Sequence, residues 1–340
     1  MTKERGAAGR NGRAVRAIVV GGLGFIGSRL VEMASEQGIE VLVLDSLTYA
    51  GSTENLQPQC RWQRCDLNNG WAVALALKEF RPDCVVNLAA ETHVTRSLES
   101  QEAFVRTNVA GVNVLLNCCL DYWREQGEPG HFRLLQASTD EVYGSLQDGE
   151  PPWSEESPLR PNNPYAASKA AGEMLARSFF RTFGLPVVVT RGCNVFGPRQ
   201  HPEKALPTFC LQLFGGHPVT LHGDGLHVRE WLHVDDHCRG LLAAALGGEP
   251  GAVYNLAGGT CLTSYELAMR LAKAAGHAQL WVTQVPDRLG NDRRYQARAL
   301  KAAKELGWYP QAGQLDLRIE EAVAWYRAAY ERRYQDGYGR

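Results

Sequence analysis

Four side chains at two spacings could move protons. Tyr165 and Lys169 stand four residues apart in Tyr165-Ala166-Ala167-Ser168-Lys169, so on a helix they share one face. Asn163 suits an N-cap and Pro164 the first helical position, so the helix should begin there. An ammonium beside a phenol favours the phenolate, which predicts a lowered Tyr165 pKa and a base usable near neutral pH. Asp140 and Glu141 are adjacent in Ser138-Thr139-Asp140-Glu141-Val142-Tyr143-Gly144. In one site such a pair can be driven apart, leaving one protonated acid and one ionised base. Adjacent acids are more often a solvated loop pair. Their place directly after a strand argues for chemistry, because ligands of open parallel sheets bind at that edge.

A second constellation binds rather than reacts. Gly21, Gly24 and Gly27 form G-x-x-G-x-x-G between an apolar run and a helical pattern. Glycine lets the backbone turn tightly and approach a pyrophosphate, and the helix start then offers free N–H groups. Asp45 follows Gly24 by about 20 residues, at the end of the next strand, where a carboxylate takes both adenosine ribose hydroxyls. It would repel a 2′-phosphate, so NAD is expected rather than NADP. Asp66, after a third short strand, is placed to meet the adenine, with a solvated turn as its plain alternative.

The elements that must carry these residues read as βαβ units. Short β-branched runs (15–20, 41–44, 84–88, 134–138 and 186–191) alternate with helical stretches, which predicts an α/β fold with a Rossmann-type doubly wound parallel sheet. Helices over 104–123 and 165–183 are apolar around much of their circumference. They are buried either within the chain or between two subunits of a homodimer. From about 195, Pro, Gly and His become frequent and strands fade. The expected division is a flexible lead-in over 1–14, an NAD-binding domain over 15–194 rejoined by about 232–258, and a smaller interleaved nucleotide-sugar domain over 195–231 and 259–335. A capping box at Thr263 to Glu266 opens a helix, Gly307 closes one begun at Ala299, and a last helix covers 317–334.

With 340 residues, 44% hydrophobic and 21% charged, the chain has enough apolar material for a sizeable core. A net charge of -1 argues against a broad surface for nucleic acid or anionic membrane. No apolar stretch in the sequence reaches the ~18–20 residues of a span. The basic start lacks an apolar segment behind it, so no secretory signal is expected. Nine cysteines without C-x-x-C or Cys/His spacing point to no metal and to reduced thiols in the cytoplasm.

The segments GGLGFIGS, DSLTYAGSTENL, NLAAETHVTRS, STDEVYG, NPYAASKA, RGCNVFGPRQHPEK, HGDGLHVREWLHVDDH and DRLGNDRRY carry a family likeness. The chain resembles the extended short-chain dehydrogenase/reductase enzymes acting on nucleotide sugars, and among them the nucleoside-diphosphate-glucose 4,6-dehydratases of the dTDP-glucose type. The likeness runs from about 16 to 330. It implies that Tyr165 removes the sugar O4 proton while hydride leaves C4 for NAD⁺. Thr139 would bond O4, and Lys169 would hold the nicotinamide ribose. Glu141 would take the C5 proton, and protonated Asp140 would donate to the departing C6 hydroxyl before hydride returns to C6. Cofactor contacts are implied at Gly21, Gly24, Phe25, Ile26, Gly27, Asp45, Asp66, Leu67, Leu88, Ala89, Ala90 and Asn108, besides Tyr165 and Lys169. Substrate contacts are implied at Thr92, Asn194, Lys204, Arg229, Arg288 and Asn291. A 4-epimerase or decarboxylase needs no acid/base pair for water loss, so Asp140 with Glu141 favours elimination. The alternatives are such an enzyme, a UDP-glucose 4,6-dehydratase, or a non-catalytic NAD sensor, which would be expected to lose Tyr165 or Lys169. Val20, Thr95, Cys193, Leu289 and Asn291 depart from the pattern and bear on which sugar and base are taken.

Overall fold

The computed structural model describes residues 13–335; most of the expected lead-in over 1–14 lies outside them. The chain runs β1 (Arg16–Val20), α1 (Phe25–Glu36), β2 (Glu40–Asp45), β3 (Arg61–Arg64), α2 (Gly70–Phe80), β4 (Cys84–Asn87), α3 (Val94–Glu99) and α4 (Glu102–Val105). After a π-turn at Arg106–Gly111 come α5 (Val112–Glu125), β5 (Arg133–Thr139), α6 (Pro164–Phe183), β6 (Val187–Gly192), β7 (Asn194–Phe196), α7 (Ala205–Phe214) and β8 (Val219–His222). The remainder is β9 (Val228–His233), α8 (Val234–Gly247), β10 (Val253–Leu256), β11 (Thr260–Thr263), α9 (Ser264–Ala274), β12 (Val282–Val285), α10 (Leu300–Leu306) and α11 (Leu315–Gln335).

Seven strands form one parallel sheet in the order β10-β6-β5-β4-β1-β2-β3. Alternate side chains of each strand point to opposite faces, so the apolar runs feed two cores. Val19, Val43, Val86 and Leu135 pack with α1, α8 and α10. Ile18, Leu42, Val85 and Leu134 pack with α2, α5 and α6. This two-sided burial is why the strands read as continuous apolar runs instead of alternating ones.

A third core, built on Phe196, Leu206, Phe209, Trp231, Leu267 and Ile319, belongs to a smaller lobe. That lobe holds the short sheets β11-β9-β7 and β12-β8. The segment expected to rejoin the large sheet divides in two. β10 pairs in parallel with β6, and α8 covers the sheet beside α1. The strand that includes Leu232 pairs with β7 and β11 instead, although Leu232 itself packs into the large-sheet core.

Helical stretches over Glu102–Glu125 are, by length and composition, apolar enough to span a membrane. Within this fold their apolar side packs into the core through Leu115, Leu116 and Cys119. Their outward positions carry Arg106, Asn113, Asn117 and Asp121, which is the pattern of a core helix.

Candidate active site

The C-terminal ends of β1, β2, β4, β5 and β6 open into a cavity of about 530 Å³. Its entrance at β1 is the glycine turn. Gly21 has φ +80°, and a Cβ there would meet the Ala89 nitrogen at 2.7 Å. At Gly27 a Cβ would fall 2.1 Å from the Gly21 carbonyl oxygen. A Cβ at Gly24 would meet nothing nearer than 3.5 Å, so its missing side chain leaves cavity space. Gly24 caps α1 with no side-chain acceptor. The first N–H groups of α1 are therefore available to an anion. Phe25, Ile26, Leu67, Leu88, Ala89 and Ala90 line the same wall.

Asp45 is held at the end of β2 by two backbone donors, Leu23 N to Oδ2 at 2.9 Å and Leu47 N to Oδ1 at 2.8 Å. Each oxygen keeps a further lone pair for a ribose hydroxyl. Asp66 lines the cavity but is engaged: Arg106 donates to Oδ2 at 2.8 Å and Asn68 N to Oδ1 at 2.9 Å. The Asn68 backbone bond, more than the arginine, holds its pKa below the usual carboxylate range. Arg106 gave no signal in the sequence, because it comes to Asp66 only through the π-turn. The donor set, the bare backbone at Gly24 and the carboxylate at β2 together fit a dinucleotide with a free 2′-hydroxyl.

The reactive end lies across β5. Thr139 caps a 3₁₀ turn at Asp140–Tyr143, accepting from Glu141 N at 3.3 Å. Asp140 is 1% exposed, and its Oδ2 has no partner. Burial, then the charges of Glu141 and Glu230, push its pKa well above the carboxylate range. Glu141 is also pushed up by burial, but Arg229, Lys204 and a donor from Asn163 Nδ2 at 3.4 Å oppose the shift. The two acids are therefore unequal, with Asp140 more firmly protonated.

Asn163 caps α6 by accepting from Ala166 N at 2.8 Å, with Pro164 in the first turn. Tyr165 and Lys169 both line the cavity from that helix. Lys169 Nζ donates to the Ala137 carbonyl at 2.8 Å, and burial lowers its pKa to about 8. The expected lowering of Tyr165 is not what this arrangement produces. Burial, then the Glu141 charge, push the phenol above its ordinary value, and a hydrogen bond with Thr139 only partly opposes them. The desolvated phenol meets a carboxylate more strongly than an ammonium that is turned to a carbonyl.

The remaining expected contacts separate. Thr92, Asn194 and Lys204 line the cavity, and Lys204 Nζ donates to the Thr92 carbonyl at 2.7 Å. Arg229, Arg288 and Asn291 are not on its wall. They stand together beyond Glu141, where both guanidinium groups donate to Asn291 Oδ1, at 2.9 and 3.5 Å. Arg288 Nε is buried without a partner, and burial, then Arg229, lower its pKa. Two cations forced together beside an unsatisfied donor make a place for an anion.

Asn108 is displaced from its expected role. It does not line the cavity; its amide accepts from Glu91 N and donates to the Glu91 carbonyl and Ser168 Oγ, at 2.9 to 3.0 Å. It ties the loop after β4 to α6. The sequence could not show this, because the π-turn sets the direction of its side chain. Ser138, Cys193 and His237 line the cavity without having been expected. His237 is on α8, which no motif linked to the site. Of the departures, Val20 is an inward strand residue, Cys193 borders the cavity and Leu289 is 80% exposed. Thr95 lies in α3, off the wall.

A sequence model of the NAD dependent epimerase/dehydratase family matches residues 17–257. The dTDP-glucose 4,6-dehydratase of Streptomyces niveus is 44% identical over 324 residues, covering 92% of this chain and 93% of that protein. The enzyme of the same name from Streptomyces antibioticus is 46% identical over 319 residues, covering 91% and 92%. A crystal structure of a dTDP-glucose 4,6-dehydratase from Streptomyces venezuelae with NAD bound superposes with a TM-score of 0.85. It is 43% identical and covers 92% of this chain and 97% of its own. A UDP-glucose 4-epimerase of Thermus thermophilus with NAD gives the same TM-score of 0.85 at 35% identity, covering 93% and 100%. Backbone similarity thus does not separate dehydratase from epimerase, and the side chains must.

Proposed function

The chain belongs to the NAD dependent epimerase/dehydratase family, and on that premise we propose that it dehydrates dTDP-glucose to the 4-keto-6-deoxy sugar nucleotide. The observation that carries this reading is the unequal pair beside Tyr165: Asp140 is buried with an unpartnered oxygen and pushed well up by burial, while at Glu141 Arg229, Lys204 and Asn163 oppose the upward push of burial. An epimerase exchanges hydride at C4 alone and has no use for an acid aimed at C6.

NAD is held by the glycine turn, Asp45 and Lys169, and when bound it supplies the acceptor for C4 hydride and the donor that returns it at C6. Tyr165 takes the O4 proton, and Thr139 shares the hydrogen bond to that oxygen. Burial keeps the phenol high, so positive charge must bring it into range; Lys169, one turn away on α6, is the cation that would supply it on turning from the Ala137 carbonyl. The C4 ketone acidifies C5–H, and Glu141 removes that proton. The C6–O bond breaks as Asp140 gives its proton to the hydroxyl, and water leaves. Glu141 exchanges the proton it took with solvent, and a solvent-derived proton is delivered to C5. The diphosphate lies between Arg229 and Arg288 with Asn291, and Thr92, Asn194 and Lys204 face the sugar. The large sheet and α8 form the NAD lobe, and the small sheets with α7, α9 and α11 form the nucleotide-sugar lobe.

The working form is a homodimer through α5 and α6. Met174 is exposed on α6 and Val105 at the end of α4, which leads through the π-turn into α5, beside small residues such as Ala110 and Ala167. All nine thiols are free, in keeping with a reducing cytoplasm.

Incubation with dTDP-glucose and with UDP-glucose in D₂O, followed by NMR, tests the reading. A 4-keto-6-deoxy product carrying deuterium at C5 is expected, with dTDP-glucose turned over faster. A galactose product would replace it with an epimerase. Glu141→Gln should oxidise C4 but lose C5 exchange by about 10²-fold or more; undiminished dehydration would remove the role given to Glu141.

A further inference from the structure

Asn163 makes two bonds that point in different directions. Its Oδ1 accepts from Ala166 N at 2.8 Å and so starts the helix that presents Tyr165. Its Nδ2 donates to Glu141 Oε2 at 3.4 Å. The side chain is 5% exposed, between the 3₁₀ turn after β5 and the first turn of α6. Capping alone does not require an amide, because Ser or Asp accepts the same N–H. The donor is what asparagine adds. Asn162, its neighbour, donates to Asp292 Oδ1 at 2.5 Å and fixes this corner to the segment that carries Arg288 and Asn291.

We infer that Asn163 is a positioning residue that donates to the Glu141 carboxylate and holds it in register with Tyr165, so that C4 oxidation is followed directly by C5 deprotonation. The inference rests on the dehydratase reading. Several other groups also bear on Glu141: Asp140 on its own turn, Tyr165 on α6, Arg229 on β9, Lys204 before α7, and Arg288, Asp292 and Tyr295 on the 287–295 segment. Asn163 differs from them in donating a hydrogen bond without bringing a charge. A donor to the ionised form lowers a carboxyl pKa, so its removal moves the pH below which the base fails upward.

The test compares wild type, Asn163→Ser and Asn163→Asp. Both variants keep the cap, so thermal midpoints should stay near that of wild type. The acid limb of the kcat profile should move up by about half a pH unit in Asn163→Ser and by about one in Asn163→Asp, which adds a like charge. C5 deuterium exchange should fall about tenfold, while single-turnover C4 oxidation, followed by absorbance of the reduced cofactor, changes by less than about twofold. An unmoved acid limb in both variants, or parallel loss of C4 oxidation and C5 exchange, would overturn the inference and leave Asn163 a helix cap. If wild type itself forms no 4-keto-6-deoxy product, the dehydratase reading falls first, and the variants are not needed to show it.

Discussion

In the proposed mechanism elimination depends on Asp140, and the environment of that residue makes a test that ordinary acid replacement would not. The carboxyl is buried, one oxygen is unpartnered, and burial keeps it neutral. Asp140→Asn therefore removes no charge from the fold at neutral pH. It should leave the thermal midpoint unchanged or slightly higher, while slowing water loss by about 10²–10³-fold and sparing C4 oxidation. A large loss of stability in this variant would show that Asp140 is ionised in the fold and is not the acid. The residue types at 139–141, 165 and 169 were legible because their spacing has chemical meaning. The order of the Asp140 and Glu141 shifts was not, because it comes from burial and then from charges such as Glu230, Arg229 and Lys204, which are distant in sequence.

At the scale of elements, each functional side chain is set by a strand end or a helix start. Arg191 on β6 is the clearest supporting case. It is 1% exposed and grips Glu173 of α6 with two nitrogens, while Nη1 donates to Tyr143 Oη at 2.6 Å. Strand, catalytic helix and 3₁₀ turn are locked together by one buried guanidinium. α8 contributes a different element-level effect. His237 lies against Gly192, where a Cβ would be 2.5 Å from its ring, and burial lowers its pKa to about 4. Between that value and 6.5 the unfolded chain binds a proton that the fold refuses. The neutral ring's contribution is present above pH 6.5 and is lost as pH falls towards 4. Urea unfolding should show the wild-type advantage over His237→Gln shrinking by about 2 kcal/mol between about pH 7 and about pH 4.5. Asp140 and Glu230 titrate alike in both proteins and cancel. Parallel pH dependences would refute this account. The helix and strand positions followed from periodicity and caps, as with Thr263 and Glu266 at α9. The π-turn at Arg106–Gly111 did not, because a one-residue widening of a helix leaves the apolar pattern almost unchanged.

For the whole molecule, the question left to the outer surface is association. Met174 is 61% exposed on α6, a helix whose other side is in the core. Met174→Arg should convert a dimer into a monomer at micromolar concentration, read by light scattering on a sizing column, because two like charges would meet across a twofold interface. A wild type that is monomeric under the same conditions rules the dimer out. The two lobes meet over the cavity, and the chain passes between them at β7, α8, β11, α10 and α11 instead of once.

The sequence by itself determined the chemistry available: a nucleotide turn with its acidic partner, a Tyr–Lys helix and an adjacent carboxyl pair after a strand. These are local patterns, and local spacing is enough to define them. Only the tertiary structure decided which acid is pushed further up by burial, that Tyr165 is raised instead of lowered, and that Asn108 braces a loop. It also placed Arg229 and Arg288 together beyond Glu141, with Asn163 bonded both to Glu141 and to the first turn of the helix that carries Tyr165. Each of these depends on burial and on charges brought from separate lobes, and desolvation and Coulomb interaction act through space whatever the distance along the chain.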